Sequence, residues 1–266
     1  MNLSEMIKET QKIGYETDDA SARVCQDIVL KAISLSSLSR NVTIKGGILM
    51  RNMTQSIRRA TQDMDIDFIR YSLSNESIEK FIEKINCIDG IIIKKIGRIE
   101  ELNQQDYNGK RVHIQILDSK GNCIESKIDL GVHKHMEIEQ EEYCFDISFD
   151  NEGASLLANT REQMFVEKLR SLLKFSVFST RYKDVYDMYY QCDKMNEEKF
   201  MKCLHTYIFN DPGMRENDMN DIVKRIEFTF SDKEFERRVD ISDKRWLDED
   251  IKEIFGVILR YLKMQN

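Results

Sequence analysis

The 266-residue chain has one proline and no apolar stretch near the roughly 20 residues that a membrane-spanning helix requires. The first absence argues against fibrous and disordered classes, and the second leaves no membrane to expect as a partner. No signal peptide is expected either. The opening residues, MNLSEMIKETQKIGYE, are polar and amphipathic without an apolar centre, so a cytoplasmic location is expected. The six cysteines (Cys25, Cys87, Cys123, Cys144, Cys192, Cys203) include no Cys-x-x-Cys pair. In a cytosolic chain such scattered thiols stay reduced, so no disulfide-linked partner is expected. His133 and His135 come nearest to a metal pair, but no further cluster supports a zinc site.

What is present is 41% hydrophobic and 33% charged residues, the balance of a soluble, globular, helix-rich protein. The length suffices for one large domain or two modest ones. A net charge of −7 argues against a globally basic nucleic-acid binder. Local charge differs. Between Arg161 and Lys183 six basic residues (Arg161, Lys168, Arg170, Lys174, Arg181, Lys183) face only Glu162 and Glu167, a local balance of +4.

The texture changes along the chain. The first forty residues carry a helical pattern through Val24, Ile28, Val29, Ala32 and Ile33. The run Asn41-Val42-Thr43-Ile44 is strand-like and ends at Gly46-Gly47, after which Leu49, Met50, Met53 and Ile57 resume helical spacing. Asp65-Ile66-Asp67-Phe68-Ile69 alternates as a strand, with carboxylates on one face and Ile66 and Phe68 on the other. A helix over Ser77–Ile85 and strands over Ile91–Ile96, Arg111–Leu117, Ile124–Leu130 and Phe145–Phe149 follow. The turn chemistry of Asp118 to Asn122 predicts a hairpin. From about Ala154 strand signals fade. Thr160 with Gln163 forms a capping-box pattern for a helix to Phe175, and helices are expected over 182–192, 197–209, 213–228 and 248–262. The expected class is α+β, with a mixed-sheet domain over 1–150 and a helical domain over 151–266.

Three features of the first domain carry chemistry. Glycines between a strand and a helix let backbone N–H groups approach a phosphate, and Lys45 adds a positive charge beside Gly46 and Gly47. Asp63 and Asp65 alternate in an extended segment, so both carboxylates face the same way and repel unless a cation lies between them. Magnesium prefers such hard oxygen ligands together with substrate phosphates, although a solvated acidic strand edge has the same pattern. Asp129 lies on a strand whose Ile124, Ile128 and Leu130 face the other way. Three carboxylates from two neighbouring strands could hold two metal ions.

The run Lys45-Gly46-Gly47-Ile48-Leu49 followed by Arg59-Ala60-Thr61-Gln62-Asp63-Met64-Asp65 resembles the first motif of the AbiEii/AbiGii abortive-infection toxins, members of the DNA polymerase β-like nucleotidyltransferase superfamily. Lys127-Ile128-Asp129 resembles the second motif, Arg161 to Arg170 the third, with its Glu-Lys-Leu, and Arg181-Tyr182-Lys183-Asp184 to Met188 the fourth. The four stand in the family's order over residues 45 to 188. The resemblance implies a mixed nucleotidyltransferase sheet flanked by helices and followed by a helical lobe. It implies that Lys45, Gly46 and Gly47 hold nucleotide phosphates, that Asp63, Asp65 and Asp129 bind magnesium, and that Asp129 activates the acceptor. Lys168 then reaches the triphosphate, and Asp184 completes the site from the helical lobe. Two departures stand out. Glycine replaces the wider superfamily's Gly-Ser, and only Lys127 supplies the basic neighbour expected before Asp129. Asp67 also leaves the register of the pair open, and Arg59-Ala60-Thr61 favours Asp63 with Asp65.

The resemblance further implies transfer of a nucleoside monophosphate from an NTP to an acceptor, in a toxin–antitoxin or phage-defence setting. An RNA such as a tRNA acceptor end, and a cognate antitoxin, are the partners it implies. A small-molecule transferase of the antibiotic-modifying type and a non-catalytic nucleotide- or protein-binding module are the rivals. The tyrosines Tyr182, Tyr186, Tyr189 and Tyr190 suit core and interface packing more than base stacking.

Overall fold

The helical pattern of the first forty residues resolves into two helices, α1 (Leu3–Lys12) and α2 (Thr17–Leu35), separated by a left-handed turn at Gly14. The computed structural model describes residues 1–104 and 107–265. In it the chain divides into two compact units, Met1–Asn159 and Thr160–Asn266. The Asn2 side chain caps α1 by accepting from the Glu5 N–H, and α2 buries Val24, Ile28, Val29, Ala32 and Ile33, the positions whose spacing predicts it.

β1 (Val42–Ile44) leads into α3 (Gly46–Thr54), which is followed by β2 (Asp65–Phe68) and α4 (Asn75–Lys84). Then come β3 (Ile91–Gln104), β4 (Tyr107–Asp118), β5 (Cys123–Val132), β6 (Glu141–Ile147) and β7 (Asp150–Ala158). They form one mixed sheet in the order β3-β4-β5-β2-β1-β7-β6. β2 pairs antiparallel with β1 and parallel with β5, while β1 pairs parallel with β7. The predicted hairpin is present between β4 and β5, its turn held by Asp118, whose carboxylate accepts from the backbone N–H of Lys120 and Asn122, each at 2.9 Å. Against the opposing effect of desolvation, a bond from the Asn122 side-chain amide, with those from the Leu3, Asn122 and Lys120 N–H groups, holds the Asp118 carboxyl down at about 2. Ile66 and Phe68 are fully buried, as are Ile128 and Leu130 on β5. The two charge-bearing strands therefore occupy the middle of the sheet, anchored by their apolar faces.

β7 is absent from the sequence reading, and the division between units falls at Asn159 and Thr160 rather than at residue 150. The alternation in β7 runs through Ala154, Leu156 and Ala158, all buried. Alanine contributes little apolar contrast, so the period-2 signal is faint.

The second unit is helical throughout its ordered elements: α5 (Arg161–Phe175), α6 (Tyr182–Gln191), α7 (Glu197–Leu204), α8 (Met219–Ser231), α9 (Lys233–Asp240) and α10 (Ile251–Met264). Thr160 caps α5, its hydroxyl accepting from the Gln163 N–H at 3.1 Å. The helix expected over 197–209 ends as a π turn at His205–Phe209, and the one expected from residue 213 starts at Met219. Aromatic rings fill this unit's interior. Phe165, Phe200 and Tyr261 meet edge to face, and Phe230 stacks on Phe255 with centroids 3.9 Å apart. Tyr186 is fully buried and donates its hydroxyl hydrogen to the Val239 carbonyl. Among the described residues no helix is long and apolar enough to cross a membrane.

Candidate active site

The first unit brings Lys45, Gly46, Gly47, Asp63, Asp65 and Asp129 into one neighbourhood. The register aligns Asp65 of β2 with Asp129 of β5, and the Asp129 N–H donates to the Met64 carbonyl at 2.9 Å. The loop after β1 is tied to the same place, because the Lys45 N–H donates to the Asp65 carbonyl. Both glycines are required by close approach. Gly46 has φ +63°, and a Cβ there would lie 2.5 Å from the Asp65 carboxylate oxygen Oδ2. A Cβ on Gly47 would lie 2.5 Å from the Thr61 hydroxyl oxygen. Gly46 therefore lets the start of α3 pack directly against the Asp65 carboxylate, and Gly47 lets it pack against Thr61; the first N–H groups of a helix favour an anion. Gly46→Ala is expected to destabilise the protein by about 1–3 kcal/mol in urea denaturation, since it adds both a left-handed strain and a clash with a carboxylate. An unchanged midpoint would contradict this packing.

Charge balance explains how these carboxylates coexist. Lys45 Nζ lies 2.7 Å from Asp67, Lys127 Nζ 3.3 Å from Asp63, and Arg111 grips both Asp129 oxygens at 2.7 and 2.8 Å. Asp65 alone of the four makes no direct ion pair among the described residues. Its carboxyl is pushed up to about 6, chiefly by burial, with the charges of Asp63, Asp129 and Asp67 adding to the shift and Lys45 opposing it. Among the described residues no three His, Cys, Asp or Glu side chains already converge as a metal cage. The physical reason is visible: three of the carboxylates are turned toward cations of the chain itself. The donor set is nonetheless hard oxygen, gathered closely enough that each charge raises the cost of ionising Asp65. That is the environment in which a divalent cation is favoured.

Two residues here escape motif reading. Arg111 comes from β4, directly across from Asp129 in the antiparallel register, and supplies the basic neighbour that the linear motif lacks. Gln26, buried on α2, donates from Nε2 to the Thr61 carbonyl at 2.8 Å and toward the Asp63 carbonyl at 3.4 Å, holding the loop that leads into β2. Neither could be found from spacing alone, because each acts across the fold. A cleft of about 390 Å³ beside this loop is lined in part by Asp18, Gln62, His113 and Lys127.

In the second unit Lys168 and Asp184 are brought together, with a third partner. Lys168 Nζ donates to Asp184 Oδ1 at 2.8 Å and lies 2.9 Å from Asp187 Oδ2. Asp184 also accepts from Arg181 Nε at 2.6 Å, and Asp187 from the Trp246 indole N–H at 3.1 Å. The group is buried rather than a solvated pairing: Lys168 is 8% exposed and Asp187 not at all. The shared helical face of Asp184 and Asp187 is the signal for it, and Trp246, far along the chain, had none.

A stretch of 103 residues, 39% of this chain, is 25% identical to the tRNA-splicing ligase RtcB of Methanocaldococcus jannaschii, and it spans 10% of that protein. The crystal structure of an antigenic nucleotidyltransferase-like protein from Paracoccidioides brasiliensis superposes with a TM-score of 0.47 at 10% identity, covering 82% of this chain and 91% of the other. The family model for the nucleotidyl transferase AbiEii toxin of type IV toxin–antitoxin systems matches residues 28–255, which takes in β1, the glycine loop, all four carboxylates and the Lys168 network. The chain belongs to the AbiEii nucleotidyl transferase toxin family.

Proposed function

We propose that the protein is a magnesium-dependent toxin that transfers a nucleoside monophosphate from an NTP to an acceptor hydroxyl. The observation that carries this reading is the close approach of the Gly46 backbone to the Asp65 carboxylate, flanked by Asp63 and Asp129. Asp63, Asp65 and Asp129 would hold the metal. Magnesium, when bound, supplies charge neutralisation at the triphosphate and lowers the pKa of a coordinated hydroxyl. Gly46, Gly47 and the α3 N-terminus receive phosphate oxygens, with Lys45 adding a cation. The acceptor oxygen bonds to the α-phosphorus, the bond to the bridging oxygen breaks, and pyrophosphate leaves. Asp129 takes up the acceptor's proton. Arg111 pairs with Asp129 and Lys127 with Asp63, offsetting the charge of these carboxylates. Within the second unit Lys168 is paired with Asp184 and Asp187, and the motif order supports a part for Lys168 and Asp184 in the reaction.

RNA, with the tRNA acceptor end as the specific case, is the proposed acceptor, a reading supported by the ordered motifs from Lys45 to Met188. Membership of a toxin–antitoxin family supports a cognate antitoxin. A cytoplasmic location is part of the same proposal. The test is incubation with each labelled NTP and magnesium, with either a tRNA pool or aminoglycosides as acceptor. We expect label on tRNA, lost by at least about a hundredfold in Asp129→Asn. Label on the aminoglycoside would replace the acceptor, and absence of any Mg²⁺-NTP binding in calorimetry would end the enzyme reading in favour of a binding module.

A further inference from the structure

Lys45 has two carboxylates within reach. Extending the β1–β2 register by one residue sets it directly across from Asp65, and its N–H donates to the Asp65 carbonyl. Directly opposed residues of an antiparallel pair share a face, so the lysine stem starts beside the Asp65 side chain. Its charge reaches Asp65, where it opposes the upward push of burial. The ammonium nevertheless lies 2.7 Å from Asp67 Oδ1, on the diagonal, and Asp65 makes no direct ion pair among the described residues.

Burial decides between the two. Asp67 is buried, whereas Asp65 is partly exposed. A carboxylate taken out of water needs a cation close by, and the Lys45 side chain, mostly buried itself, supplies one from the neighbouring strand. The neighbours on β5 differ as well. The register places Asp129 beside Asp65 but Gly131 beside Asp67. A divalent cation is drawn to the position where two carboxylates stand abreast, and that is the Asp65 position. Asp67 stands beside a glycine on that side and against an ammonium on the other.

We propose that Asp67 is a positioning residue, which holds the Lys45 ammonium away from Asp65 and so keeps that carboxylate for magnesium. The inference rests on the metal reading given above. Once Asp67 is neutral, the ammonium falls onto Asp65 and competes with the metal for the same oxygens. The test measures the affinity of the full chain for Mg²⁺ alone by calorimetry, in a double-mutant cycle. Asp67→Asn is expected to weaken binding about tenfold or more, although it removes no ligand. Lys45→Met by itself should shift the affinity less than about threefold, and the two changes together should restore it to within about threefold of the parent. Circular dichroism shows whether each variant is folded. If Asp67→Asn alone is not, the double variant still decides, because it buries neither charge of the pair. A double variant well below the parent would make Asp67 a ligand and overturn the proposal. Single effects that are equal and opposite would overturn it too, since then only net charge acts. Unchanged affinity in Asp67→Asn, or a parent that binds Mg²⁺ only together with NTP, overturns this inference and leaves the metal reading intact. A parent that binds Mg²⁺ neither alone nor with NTP ends the metal reading and this inference with it.

Discussion

Replacing Asp65 by asparagine is expected to make the protein more stable above pH 6 while abolishing its response to magnesium. The ordinary carboxyl value is 3.8, and the folded protein raises it to about 6, first through burial and then through the neighbouring carboxylates. A raised value means the folded state binds the proton more tightly than the unfolded chain does. The favourable contribution of neutral Asp65 is therefore fully present below about pH 3.8 and is lost as pH rises through 6. A shift of that size corresponds to at most about 3 kcal/mol, and partial exposure reduces it to roughly 1–3 kcal/mol. Asparagine keeps the neutral form at every pH. Urea midpoints of parent and variant should thus separate at pH 8 and converge near pH 4. Added magnesium should raise the parent's midpoint, because a ligand of the folded state stabilises it, and leave the variant's unmoved. Below pH 6 the apparent magnesium affinity of the parent should fall, by up to about tenfold per pH unit, as a proton competes for the same oxygen. A variant less stable than the parent at pH 8 would mean that Asp65 is held by attractions absent from the ion-pair pattern around it.

Lys168→Met should destabilise the second unit by about 3–5 kcal/mol. The lysine is the common partner of Asp184 and Asp187, and its loss takes the ammonium charge away from the fully buried Asp187, which also accepts from the Trp246 N–H. An uncompensated buried charge is the costly outcome, far more so than the lost attraction. The single tryptophan of the chain sits on this network, so its fluorescence during urea denaturation reports the transition directly. Adding Asp187→Asn to Lys168→Met should recover much of the loss, since the two changes act on one interaction and cannot be additive. A double variant as unstable as the sum of the singles would show that Lys168 stabilises by packing its aliphatic stem instead. The experiment also constrains activity measurements, because a lysine variant that loses transfer activity has lost it through the reaction only if it remains folded.

The two units were unequally legible in the sequence. The β1–glycine–α3 passage, the Asp65 strand, the β4–β5 hairpin and the Thr160 cap all follow from local rules: alternation, turn chemistry, and a hydroxyl three residues before a free N–H. Elements with thin apolar content did not show. α9 carries only Phe235 and Val239 on its buried side, too few to establish a period, and β7 alternates through alanines. The site was legible as a set of residues and not as a set of partners. Asp63, Asp65 and Asp129 stood out by type and spacing, but their counterions did not. Lys45 pairs with Asp67 two strands' length along the chain, Arg111 reaches Asp129 through strand register, and Gln26 reaches the carboxylate loop from α2. Such partnerships depend on which strands lie side by side, and spacing along one segment holds no information about that. Asp184 with Asp187 is the instructive exception, because a helix of known period places both on one face without any tertiary knowledge.

The parallel pairing of β1 with β7 bears on how the protein is born. Thr43 finds its partner at Leu157 and Ile44 at Ala158, so the middle of the sheet cannot close until almost the whole first unit has been synthesised. β4 and β5 can meet at once through their short turn, and β1 can pair with β2, whereas the other neighbours of β1 and β2, β7 and β5, are made later. Non-local closures of this kind are slow, and on a ribosome they follow the order of emergence. A nascent chain could therefore bring its acidic strands β2 and β5 together before β7 closes the far side of the sheet on β1.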